Sequence, residues 1–151
     1  MSALLASVFA LHLLFAGLWT GSVLFFTYAL LPLARSGAVS TAVLDSATGK
    51  LTTVSRTSAV LQLLTGAYAA SPMGVGTAGY WSSTDGTLVV AMIVLWLLLA
   101  VFTEFAASRL RGGLDDGAVD AAAASAGSYL YAASAVAILL LVDAGVIAGG
   151  L

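Results

Sequence analysis

From Ala3 to Ala34 the chain carries no charged residue. A helix needs about 20 mostly apolar residues to cross a hydrocarbon core about 30 Å thick, so this block alone is long enough to span a bilayer. The pattern recurs. Thr57 to Thr84 is also charge-free, and Ser71-Pro72-Met73-Gly74 inside it reads as a helix stop followed by a loop. Gly86 to Thr103 is a third block that continues toward Ser108, and Ala121 to Val142 is a fourth that runs on to about Gly149 with Asp143 inside it. These blocks are too long for strands, and helices satisfy their own backbone where lipid offers no partner. The expectation is an all-α integral membrane four-helix bundle, a single domain over 1–151, with spans at about 3–33, 55–72, 87–109 and 121–149.

Composition points the same way. Hydrophobic residues make up 61% and charged residues 8%, against about 25% charged in soluble domains. There is no cysteine, which excludes disulfides, thiolate metal sites and Cys nucleophiles. A net charge of −2 gives no reason to expect a nucleic-acid partner; the partner that composition implies is the lipid bilayer. No basic residue precedes the first block and its apolar run is long, so it reads as a span rather than a cleaved signal peptide.

Direction follows from Lys and Arg, which collect on the cytoplasmic side. Arg35, Lys50 and Arg56 lie in the first connection, and Arg109 and Arg111 in the third. The stretch 71–86 and the two ends have none. Four crossings therefore put all five basic residues on one side, with both termini and the second loop outside (N-out/C-out), in a multi-pass cell-membrane protein. Asp115, Asp116 and Asp120 join the third connection, where acidic residues carry little weight in this rule. Tyr80 and Trp81 in the second loop fit an interfacial anchor or a cap over the outer end of the bundle.

Each ionisable residue inside a span is costly and needs a reason. His12, the only histidine, lies roughly 12–15 Å below the outer end of the first helix, and Asp143 roughly 10 Å below the outer end of the fourth. Both fall in the outer half, where a carboxylate beside an imidazole orients the ring and fixes its tautomer. Met92 is about one turn inside the third helix on that side, with Asp85 and Met73 in the loop above it. His12, Met92 and Asp143, supported by Asp85 and Met73, form a candidate site for a metal, a haem or a proton; the alternative is simple hydrogen bonding within the bundle. Trp19 follows His12 by two turns on one face, as support or as core. Gly17 and Gly21 form a small-xxx-small pair expected to let the first helix pack closely. At the inner end Glu104 is expected to pair with Arg56 or Arg109. Gln62 and Thr65-Gly66 suit a cross-helix hydrogen bond and a close approach. No catalytic triad, phosphate loop, inward carboxylate pair or HExxH occurs, and the reading leans away from an enzyme.

The first helix reads His12-Leu-Leu-Phe-Ala-Gly-Leu-Trp19-Thr-Gly21. A His-x6-Trp-x-Gly pattern early in a first span resembles the CopD-type copper-resistance membrane domain. Pro32 closing that span, Ser55-Arg56-Thr57-Ser58 opening the second helix and Thr65-Gly66 within it are similar to the same family, over about the first 70 residues. The His-x6-Trp element is also similar to HemJ-type four-helix membrane proteins. Those groups usually carry a lysine at the start of the third span, where this chain reads Asp85-Gly-Thr-Leu-Val-Val-Ala-Met92. The resemblance implies copper entry or copper handling at the membrane, with His12 as the carried-over functional position and Trp19, Gly21, Arg56, Thr65 and Gly66 as scaffold.

Three functions follow as expectations. Copper handling would draw on imidazole and thioether donors, here His12, Met73, Met92 and Met1, completed by a second protomer. Haem or porphyrin binding would use His12 as an axial ligand, and a bis-His haem would require a homo-oligomer because no second histidine exists. A non-catalytic membrane subunit would need no ligand.

Overall fold

The computed structural model describes residues 2–115 and 117–149; Met1 and Asp116 of the sequence reading lie outside them. Among the described residues the chain is all-α, with no strand and four long helices: α1 (Ala3–Arg35), α2 (Thr41–Ala70), α3 (Thr84–Asp115) and α4 (Val119–Gly149). Three of them, α1, α3 and α4, are long and apolar enough to cross a membrane. The surface agrees with lipid contact: Leu14, Phe25, Leu64, Phe105 and Val142 are all more than half exposed, which water would penalise at roughly 25 cal/mol per Å2 of apolar area.

The ends of α1 and its interior follow from single residues. The Ser2 hydroxyl accepts the Leu5 N–H at 3.2 Å and starts the helix. Pro32 has no N–H and its ring crowds the carbonyl four residues back, and the helix answers with a π segment over Phe26–Leu30. Within it Thr27 accepts from the Ser134 hydroxyl of α4 at 2.9 Å and donates to the Val23 carbonyl at 2.8 Å. Gly37, at φ 72°, ends the turn after α1.

The second helix starts at Thr41, well before the expected boundary at 55. Ser40 caps it by accepting the Val43 N–H. Leu44, Thr48, Leu51, Thr52 and Ser55 recur on one face and are all buried, so tertiary packing makes a helix of a stretch that no hydropathy reading would extend. The Thr48 and Thr52 hydroxyls bond back to carbonyls one turn earlier, which hides their polarity from the packed face.

Neighbouring helices run antiparallel. His12 meets Thr65, Arg56 meets Glu104, Gly113 meets Ala122 and Thr27 meets Ser134. The buried faces of α3 and α4 are rich in small residues. Ala106, Ala107, Ala122, Ala123, Ala126, Ala133 and Ala137 are each at most 1% exposed, and a Cβ on Gly113 would come within 2.5 Å of the Ala122 Cβ. Close approach of this kind is how helices pack where no hydrophobic force separates them from lipid. The glycine pair of α1 does not serve it. Gly17 and Gly21 have nothing within 4 Å, because Trp19 and Val23 hold the buried face and the glycines fall on the other side.

The second loop divides the roles expected of its aromatic pair. Tyr80 is 7% exposed and tucked under the start of α3, where a Cβ on Gly86 would collide with the Tyr80 carbonyl. Trp81 is 51% exposed and packs edge-on to Tyr80 at 5.2 Å. The first is the cap and the second has the exposure of an anchor.

Candidate functional site

His12 sits half-buried between α1 and α2. Its Nδ1 lies 2.7 Å from the Thr65 hydroxyl. That hydroxyl has one proton and donates it to the Leu61 carbonyl, one turn back along α2. With that proton directed to Leu61 the hydroxyl accepts Nδ1–H and Nε2 keeps its lone pair; turned toward the ring, the hydroxyl donates to a bare Nδ1 and the tautomer is reversed. Nε2 has no hydrogen-bond partner among the described residues and is not among the sealed interior atoms. One turn of α2 supplies the rest of the setting. Gln62 Nε2 donates to the His12 backbone carbonyl at 3.0 Å, and a Cβ on Gly66 would stand 3.2 Å from the ring carbon Cε1. The ring lies on the bare backbone of Gly66, which fixes its tilt.

An oriented imidazole that donates through one nitrogen and offers the other is the arrangement usual for a metal-bound or axial histidine. It also suits a proton acceptor. Asp143 makes no hydrogen bond to His12; the carboxylate is 9% exposed and its Oδ2 is buried without a partner. Met92 is half-buried on α3, Met73 is half-buried in the 3-10 turn after α2, and Asp85 is exposed in the first turn of α3. Among the described residues no three His, Cys, Asp or Glu side chains gather as a metal site would require.

Trp19 is core by burial, at 1% exposed, yet its indole N–H has no partner. Seven residues from the His12–Thr65 pair, two turns along each helix, stand Trp19 and Ser58, and the Ser58 hydroxyl is unpartnered as well. With Gln62 Oε1, Trp96 Nε1 and Asp143 Oδ2 these are contributed by all four helices, and with Tyr80 Oη in the second loop they make six lone buried polar atoms among the described residues. Leaving such a group unpaired costs about 1–3 kcal/mol.

At the other end of the bundle Glu104 takes Arg56 rather than Arg109. Arg56 donates Nε to one carboxylate oxygen and Nη2 to the other, each at 2.8 Å, the bidentate geometry that suits guanidinium. Arg111 donates to Thr52 Oγ1 at 2.7 Å. Arg35 lies against the bare Cα of Gly127 and over the Tyr131 ring, 5.8 Å from its centroid.

Sequence reasoning marked Thr65, Gln62 and Gly66 as packing residues; their part in holding His12 depends on the α1–α2 register, which the chain does not spell out. Comparison with family models, with curated proteins and with solved structures gives no match.

Proposed function

We propose that this chain is a four-span protein of the cell membrane, with both termini and the loop before α3 outside, that handles copper through His12. The observation that carries the reading is the oriented ring: Thr65 Oγ1 lies 2.7 Å from Nδ1, and Nε2, which has no hydrogen-bond partner among the described residues, is a nitrogen donor in the tautomer that carries its proton on Nδ1. Imidazole nitrogen suits both copper oxidation states. The resemblance of the first 70 residues to CopD-type domains supplies the substrate. Copper is cargo here, and a single imidazole makes His12 a weak station that a second copy of the chain completes. The topology is supported by the five basic residues falling in the first and third connections. The greater polarity of α2 is offset by the Arg56–Glu104 pair and by hydroxyls bonded back to their own helix.

A second reading is axial ligation of haem, and it has its own observation: a five-coordinate haem asks for one protein ligand, and His12 is the one histidine of the chain. One absorption spectrum with metal analysis, on wild type beside His12→Ala, separates the two. Copper retained after loading and lost in the variant supports copper handling. A Soret band lost in the variant moves the assignment to haem, and equal contents in both proteins reject His12 as a ligand.

A further inference from the structure

Two surface grooves of about 440 Å3 each lie along α3 and share Phe105 and Ser108 in their linings; taken together they make the furrow considered below. Its polar end lies between α3 and the start of α4, over Gly112 and Gly113, with Ser108, Arg109 and Ser125 at its edges. Its apolar end continues over Phe105 and Val101 to Ala100. From Ala100 to Gly113 the helix covers about 20 Å. A furrow with one short cationic end and one long greasy end, on a helix apolar enough to cross a membrane, has the shape of one phospholipid.

Charge selects which phospholipid. Among the described residues Arg56 is bound to Glu104, Arg111 to Thr52, and Arg35 lies over Tyr131. Arg109, at the polar end of the furrow, makes no hydrogen bond or ion pair among those residues, and neither does the Ser108 hydroxyl beside it. Glu104 also lines the furrow, but both its oxygens are taken by Arg56, so it presents little negative field to an incoming anion. Asp115 and Asp120 do not line it.

We propose that this furrow binds an anionic phospholipid, with the phosphate on Arg109 and Ser108 and one acyl chain along Phe105, Val101 and Ala100. A guanidinium meets phosphate oxygens through two parallel N–H donors, and Gly112 and Gly113 leave room for the headgroup against the helix. Basic clefts between membrane helices are suited to such headgroups. The proposal rests on membrane insertion and is independent of any ligand at His12.

The test is native mass spectrometry of the full-length protein, released from detergent containing equal phosphatidylglycerol and phosphatidylcholine. Wild type should retain phosphatidylglycerol preferentially. Arg109→Gln should lower that retention about fivefold, the weight of one basic side chain at an anionic surface. Lys50→Gln removes a charge outside the furrow and should change little. Val101→Trp fills the apolar end without touching a charge and should displace the lipid, so the idea stands or falls even should the arginine variant misfold. Equal retention by wild type and both furrow variants overturns the proposal. An equal loss in Lys50→Gln reduces it to diffuse attraction and also overturns it, as does displacement of the lipid by millimolar inorganic phosphate, which would mark a free-anion site.

Discussion

The Thr65 hydroxyl has one proton, and where it goes decides what His12 can do. Donated to Leu61, it makes the oxygen an acceptor for Nδ1–H and frees Nε2. Thr65→Val removes that acceptor while keeping the shape. Copper or haem binding, read by titration of the purified protein, should weaken roughly 10–100-fold, the usual cost of losing such a supporting partner. Thr65→Ser should restore most of it. Unchanged binding in Thr65→Val would show that the Thr65 hydrogen bond is irrelevant to ligand binding. Asp143 is a different kind of polar residue. Its buried oxygen has no partner, so replacing the carboxylate by an apolar side chain relieves a desolvated group. Asp143→Leu should resist detergent unfolding as well as wild type or better, and its copper loading should be unchanged because no bond joins it to His12. The sequence made both residues conspicuous as ionisable groups in apolar blocks. Whether they hydrogen-bond could not be read there, because two residues at similar depth meet only if the helix rotations agree, and rotation is set by packing; here no hydrogen bond joins them.

At the scale of elements, glycine position shows the same limit. A G-xxx-G pair is visible in any sequence, but which face it occupies is not. Gly17 and Gly21 face open space while Gly113 abuts Ala122 at the α3–α4 hairpin. Gly113→Ala should therefore lower stability by roughly 1–3 kcal/mol through overpacking, measured by detergent unfolding. Gly17→Ala should be neutral or slightly stabilising, since a helix gains from alanine. The reverse order would contradict the packing described. The Arg56–Glu104 pair was legible for a physical reason: a carboxylate at the end of an apolar block is best neutralised, and few cations are within reach. The early start of α2 was not legible, because its buried threonines and serines look like loop until their hydroxyls are seen bonded back to the helix.

For the whole molecule, four apolar blocks sufficed to foresee an all-α membrane chain, and three of the four long helices are apolar enough to cross a membrane. The proposed topology has both ends outside. A periplasm-active or exterior-active reporter at the C-terminus should therefore be active, and a cytoplasm-only fluorophore there should be dark; the opposite result removes one crossing, and α2 is the helix to doubt. The central claim is that His12 presents a free nitrogen to a ligand from the outer half of the bundle. Metal analysis with an absorption spectrum, on copper-loaded wild type and His12→Ala purified side by side, tests it most directly. Copper is expected in the wild type and its loss in the variant, with the fold retained. The same copper content in both proteins, or none in either, would contradict it.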